Sequence, residues 1–506
     1  MTRIRFVRSE AAQASLSARC AGLPRFFWFA GPLVRSGGLP VSPDAGHPIR
    51  APAGAEGRYG RRRRGGCGRG LTGPRRAAAR RPAPTSYSDR VSVRTEQQSR
   101  QRILVVGAGM AGVQTAVQLR EQGWPGGITL VGAEPHRPYD RPPLSKAVLL
   151  GRAPGSAFDV DFGALEVDLR LGTAVTGLRT GDREADTDAG PVPYDGLVVA
   201  TGAEPIPLPG AEGVPGVYLL RTLDDAERLR PVLAGRREVV VVGAGWIGAE
   251  FATAAREAGC RVTVVEAADQ PLAGALPPPV AARMRAWYGE AGAELRTGCA
   301  VTGVAASGTP DDPVCEVELS DGSVLTAGAV VVGIGARPAT GWLAGSGVAL
   351  GEDGSVLADE RLRASAPGVH AVGDCASYPS ARYGRRLLVH HWDNALQGPR
   401  TVASGLVSGQ AETPVYDPVP YFWSEQFGRF VQYAGHHTGD DEMLWRGDPA
   451  DAAWSVCWLR GGVLRALLAV GRPRDLAQGR KLIERGTALD PVRAADPSVP
   501  LKSAAR

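Results

Sequence analysis

Two apolar runs rich in β-branched residues, "RILVV" (102–106) and "REVVVV" (237–242), dominate the hydropathy pattern. Each runs straight into a glycine-rich turn, then into a stretch with helical spacing, as in "VQTAVQLREQG" (113–123). A short continuous apolar run closed by glycine reads as a strand buried on both faces. A second β-run follows each helix, "ITLVGAE" ending at Glu134 and "CRVTVVEAAD" with Glu266 at the end of its strand. The pattern therefore predicts the same β-α-β unit twice. Beyond about residue 411 it changes. Short β-like runs ("RFVQYAG", "AAWSVCWLRGGVLRALLAVG") precede one helical stretch, "PRDLAQGRKLIERG", and residues 487–506 read as a loose tail.

The turns carry the chemistry. Gly107-x-Gly109-x-x-Gly112 and Gly243-x-Gly245-x-x-Gly248 match the fingerprint of a dinucleotide site. The first glycine permits a tight turn, the second lets backbone approach a pyrophosphate, and the third lets helix and strand pack closely. The helix N-terminus offers free N–H groups to the phosphates, and the acids Glu134 and Glu266 accept from a ribose diol. One such motif is weak evidence in a chain with 67 glycines. Two, each with strand, helix and terminal acid in order, imply two bound dinucleotides, with FAD and a nicotinamide cofactor the natural pair. Glu266 is followed by Ala267, Ala268 and Asp269, with no arginine to receive a 2′-phosphate, so the second site favours NADH.

The 136 residues between Gly107 and Gly243 are too many for one nucleotide domain and suit an insertion. The expected fold class is α/β: two Rossmann-like dinucleotide-binding domains, the NAD domain inserted in the FAD domain, plus a C-terminal α+β domain. The boundaries are read as a first FAD-binding segment at 101–215, the NAD-binding domain at 216–340, a second FAD-binding segment at 341–410, and the C-terminal interface domain at 411–506. "YDGLVVATGAEP" places Thr201 and Gly202 where the chain crosses between domains. "VVVGIGARP" closes the inserted unit with Gly335, and "GVHAVGDCA" sets Asp374 at a turn where a carboxylate binds ribityl hydroxyls.

Composition changes the picture mainly at the N-terminus. Residues 1–100 hold twenty arginines and no lysine against five acids, a net +15, which leaves −9 for the rest of a chain whose total is +6. The basic character belongs to this leader, so nucleic acid is not an expected partner of the body. The leader is read as disordered and as the product of a start assigned too far upstream, with Val91 or Val93 as candidate initiators. A transit peptide and a nucleic-acid-binding arm are the alternatives. The seven cysteines form no CxxC pair and no metal site is expected, so free thiols in a reducing, cytoplasmic setting are the simplest reading. No apolar run reaches the length of a membrane span.

"RPYDRPPLSK" (137–146), "GAGWIGAE", "HWDNALQG" (391–398) and "PYFWSEQFG" (420–428) together give the region from about 102 to 440 a family likeness. It resembles the FAD-dependent pyridine nucleotide-disulfide oxidoreductases, and within them the ferredoxin reductases of cytochromes P450 and Rieske-type dioxygenases. Thiol-dependent relatives carry a redox cysteine near the flavin. Residues 137–146 contain none, so electrons must leave for an external acceptor. The resemblance implies FAD and NADH as cofactors and a 2Fe–2S ferredoxin, or else a rubredoxin, as partner. It puts Lys146 near the flavin with Glu250 as its counter-ion, Arg141 on the FAD phosphates, Trp392 in the flavin site, and Trp423 at the face where the carrier docks. The flavin bridges a pair donor and a single-electron acceptor. Where this family usually has Glu, the chain has His390. Docking an acidic carrier on a net acidic body needs a local basic patch, with Arg382, Arg385, Arg386 and Arg429 as candidates. An NADH oxidase or quinone reductase, and a redox switch like apoptosis-inducing factor, are the rival readings. Monomer and homodimer both stay open.

Overall fold

The computed structural model describes residues 97–309, 312–409 and 412–506. The leader and its expected disorder lie outside the described residues, apart from its last four. The strand Arg102–Val106 is central to a five-stranded parallel sheet, flanked by Gly127–Val131 and Val167–Arg170 on one side and Gly196–Val199 and Val369–Ala371 on the other. Its four apolar residues are buried, as a sheet covered on both faces requires. Helix α1 (Met110–Glu121) follows its glycine turn.

The second unit repeats the first. Glu238–Val242 is central to another parallel five-stranded sheet, between Arg261–Glu266 with Glu294–Thr297 and Ala329–Val332 with Val217–Tyr218. Helix α2 (Leu223–Ala234) begins with a capping box in which Thr222 and Asp225 each satisfy the other's backbone N–H. Helix α3 (Trp246–Ala258) follows the second glycine turn, and α4 (Pro278–Glu290) packs beside the strand Glu294–Thr297. Each unit also carries a three-stranded antiparallel meander. The two are joined by an antiparallel pair of crossing strands, Ala203–Pro205 against Ala336–Pro338. The expected insertion is therefore visible in the topology: the last strand of the first sheet, Val369–Ala371, comes after the whole second unit. Helix α5 (Trp392–Ser408) returns to pack on α1.

The C-terminal domain is a five-stranded antiparallel sheet in the order Tyr421–Gln426, Arg429–Gly435, Val463–Val470, Trp454–Arg460, Glu442–Arg446, with helix α6 (Pro473–Glu484) packed against it. Its Trp454, Val456 and Trp458 share a core with Leu276, Met284 and Trp287 of the second unit. The tail is not loose, and this corrects the sequence reading. Leu489, Ala494, Leu501 and Ala504 are fully buried. Arg446, 1 % exposed, pairs with Asp475 at 2.9 Å and donates to the carbonyls of Ala494 and Val499. A buried guanidinium needs several acceptors, and the tail's backbone supplies them.

Candidate active site

A cleft of about 1300 Å³ opens where the carboxyl ends of both parallel sheets meet the strand Tyr421–Gln426. Single-ligand pockets run to roughly 1,000 Å³, so this one has room for two ligands. Every site residue expected from the sequence lines it except Gly112 and Gly248. Those two are packing residues. A Cβ on Gly112 would lie 1.8 Å from the Gly107 carbonyl oxygen, and one on Gly248 2.1 Å from that of Gly243. The first glycines are turn residues, with φ of +107° at Gly107 and +100° at Gly243, and a Cβ would strike Ala200 and Gly333 respectively. Around Gly109 there is open space, and around Gly245 nothing closer than 3.9 Å. The turns thus present two bare backbone cradles to the cleft beside the first turns of α1 and α3, a fit for two pyrophosphates. His391 and Trp342 also line the cleft, and each has a buried ring nitrogen with no protein partner.

The acids closing the two motifs are held differently. Glu266 accepts from the backbone N–H of Ala244 at 2.7 Å and of Ala268 at 2.9 Å, so its carboxylate is fixed between the glycine turn and the turn that follows its own strand. Glu134 accepts from Arg141 at 2.6 Å and from the Tyr139 hydroxyl. Burial first, and then the neighbouring Glu134, push the Tyr139 phenol up to about 12. Burial pulls the Arg141 guanidinium down, but Tyr139 and Glu134 outweigh it and the net shift is upward. Arg141 also donates to the Arg221 carbonyl at 2.7 Å.

Arg221, which the sequence reading passed over, reaches across the domains to Asp374 at 3.3 Å. Burial lowers its guanidinium against the pull of Asp374. It directly precedes the cap of α2 in "YLLRTLDD", and nothing in that string marks it. Gly373, at φ +75°, turns the chain to present Asp374. Thr201, Gly202 and Gly335 sit on the crossing segments, the latter two at φ +70° and +129°.

The Lys146 ammonium lies 2.6 Å from Glu250 Oε2. Glu250 is 6 % exposed and also accepts from Ser145 at 2.6 Å and from Ser424 at 2.9 Å. Trp392 donates its indole N–H to Asp140 at 2.8 Å, and burial raises that carboxyl. Trp423 stands 5.8 Å from Trp392, near-perpendicular, and stacks on Tyr421 at 6.1 Å. His390 is exposed on the cleft wall, while burial depresses the adjacent His391 to about 4 and keeps it neutral at physiological pH.

Cys299, beside Glu266, is the only lining cysteine among the described residues. Cys375, next to Asp374, is buried and its thiol is pushed up to about 11, so it offers no thiolate. The arginines expected to form a docking patch are differently employed. Arg382 and Arg386 donate to backbone carbonyls, Arg429 pairs with Glu290, and Arg385 is exposed. None of the four lines the cleft.

Comparison with known proteins agrees with this geometry. Residues 101–398 match the family model described as pyridine nucleotide-disulphide oxidoreductase, and 421–505 match the one described as reductase C-terminal. The chain is 37% identical over 413 residues to rhodocoxin reductase of Rhodococcus erythropolis, covering 79% of this chain and 94% of that protein. It is 35% identical to putidaredoxin reductase CamA of Pseudomonas putida, covering 79% and 96%. Among solved structures it is similar to that of Fdr9, with TM-score 0.73, 44% identity, and 79% and 99% coverage. It is also similar to the reductase chain of a covalent putidaredoxin reductase–putidaredoxin complex, with TM-score 0.76, 34% identity, and 80% and 98% coverage. The chain belongs to the pyridine nucleotide-disulphide oxidoreductase family, in its ferredoxin reductase branch.

Proposed function

We infer that the protein is an FAD-dependent NADH:ferredoxin oxidoreductase, passing electrons to a ferredoxin that serves a cytochrome P450 or a Rieske-type oxygenase. The observation that carries this reading is a cleft with two dinucleotide cradles, lined also by a half-buried lysine paired with a buried glutamate, and with Cys299, beside Glu266, its only cysteine among the described residues. Bound FAD supplies the conversion of a two-electron donation into single-electron steps.

The chain's own residues divide the rest of the work. Gly107, Gly109 and the first turn of α1 hold the FAD pyrophosphate, with Arg141 adding charge. Thr201, Gly202, Asp374 and Trp392 fix the rest of the cofactor. Gly243, Gly245, Glu266 and Gly335 hold NADH. Lys146 keeps a positive charge at the meeting point of the two ligands, where negative charge gathers on reduction, and Glu250 keeps the ammonium in place. Trp423, at the rim, closes the flavin face on the side open to a carrier. Arg385 and Arg386 are the exposed members of the arginine group, and Arg385, whose neighbour Arg386 is tied to the Ala358 and Ser377 carbonyls, is the best placed to meet an acidic surface.

The test is NADH-driven reduction of cytochrome c by the purified flavoprotein, with and without a 2Fe–2S ferredoxin or a rubredoxin. Stimulation by the ferredoxin is expected. Stimulation by rubredoxin alone would change the carrier. Fast NADH oxidation with neither would mark an oxidase or quinone reductase, and a long-lived charge-transfer complex in air would mark a redox switch.

A further inference from the structure

We propose that Ser424, contributed by the C-terminal domain, is a positioning residue that sets the Glu250 carboxylate and through it the Lys146 ammonium. This deepens the reductase reading and rests on it. The strand Tyr421–Gln426 runs along α3 so that alternate side chains meet successive turns of the helix. Phe422 packs on Trp246 at 4.7 Å, Ser424 bonds Glu250, and just past the strand the Phe427 N–H bonds Thr253 Oγ1 at 2.9 Å. A strand of period two can follow a helix of period 3.6 over this short span because contacts four and three residues apart on the helix match steps of two and three on the strand. The intervening Trp423 turns towards Trp392 and the cleft, with Tyr421 stacked on it.

The hydroxyl is oriented as well as near. Ser424 and Gln426 are each 1 % exposed, and the Gln426 amide donates to Ser424 Oγ at 3.2 Å. With a lone pair of that oxygen taken, the single Ser424 proton is directed to Glu250 Oε1. Lys146 and Ser145 occupy Oε2. Three segments of the chain therefore converge on one carboxylate: the 142–146 turn, α3 and the C-terminal sheet. Without the Ser424 hydroxyl, Oε1 is a buried, charged acceptor with no donor. The carboxylate then rotates to recruit Lys146 or water, and the ammonium loses its fixed position.

The chain has only three lysines, Lys146, Lys481 and Lys502, so the ammonium can be read directly. Purified FAD-loaded protein is treated with trace acetic anhydride, and acetylation at each lysine is followed by mass spectrometry. Lys481 and Lys502 are exposed and act as internal references. In the wild type Lys146 is expected to label more slowly than either. Ser424→Ala is expected to raise its relative rate about tenfold and to lower kcat/KM for NADH by a similar factor, with KM for the ferredoxin unchanged. Ser424→Thr, which keeps the hydroxyl, restores both. Gln426→Leu, which removes the orienting amide, moves labelling the same way by a smaller factor and carries the test should Ser424→Ala fail to fold. Wild-type labelling and wild-type kcat/KM for NADH in Ser424→Ala, or unchanged labelling in Gln426→Leu if that variant must stand in, overturn the proposal. A wild type that reduces no ferredoxin overturns the reductase reading instead, and the labelling result is independent of it.

Discussion

Replacing Glu266 by Gln should weaken the preference for NADH over NADPH. Two backbone N–H groups pin the Glu266 carboxylate at 2.7 and 2.9 Å, so it cannot swing away from a 2′-phosphate. Taking a dianionic phosphate about 6 Å from the carboxylate and an effective dielectric near 20, the repulsion is about 5 kcal/mol. Physiological salt, with a screening length of about 8 Å, reduces it to roughly 2.5 kcal/mol. At about 1.4 kcal/mol per factor of ten, the charge accounts for between tenfold and a hundredfold of discrimination. Glu266→Gln removes the charge and keeps a carbonyl to accept one of the two N–H groups. The ratio of kcat/KM for NADH to that for NADPH should fall by that factor, chiefly because NADPH improves, and in the wild type it should shrink as salt is raised. An unchanged ratio in Glu266→Gln, or a wild-type ratio insensitive to salt, would refute the electrostatic argument and assign selectivity to shape.

Gly107→Ala forces a methyl to within 2.3 Å of the Ala200 carbonyl oxygen at a φ of +107°, so it should abolish FAD retention, whereas Gly109→Ala, with open space around it, should fold and lose FAD affinity only; bound-flavin absorbance after gel filtration separates the two. His370 is 4 % exposed and burial holds it near 4, below its ordinary 6.5. Its neutral form thus favours the fold above 6.5, and that contribution is lost as pH falls towards 4. Urea melts at pH 7 and 5 should differ by about 2 kcal/mol from this group, and His370→Gln should reduce the difference. Arg446→Ala leaves Asp475 with Arg472 as its remaining ion-pair partner and strips the Ala494, Asp496 and Val499 carbonyls of their donor, with an expected loss of about 1–3 kcal/mol in denaturant unfolding and early proteolytic cutting within 489–506. Tail cleavage no faster than in the wild type would show that the tail is held by its apolar contacts alone.

The regions of the fold that could be read in the sequence are those whose signals are local. "EVVVV" is a strand because a doubly covered parallel strand tolerates an unbroken apolar run, and the paired glycine turns declare what the following helix faces. Arg221 and Ser424 escaped notice because their significance lies in partners 153 and 174 residues away, and neither neighbourhood has a periodicity that betrays it. The tail was misread for a related reason. "PVRAADPSVPLKSAAR" looks polar and breaks helices, yet Ala494, Leu501 and Ala504 are buried and Arg446, far upstream, gathers its carbonyls. Charge counting likewise cannot say where a guanidinium points, and Arg382 and Arg386 turn inward to carbonyls.

The most direct test of the whole account is the rate of NADH-driven cytochrome c reduction by the purified flavoprotein as a 2Fe–2S ferredoxin is titrated in. The account predicts a saturable, many-fold rise that depends on the ferredoxin and is lost when Lys146 is replaced by Met. NADH oxidation that is fast and indifferent to every ferredoxin and rubredoxin tried would contradict it.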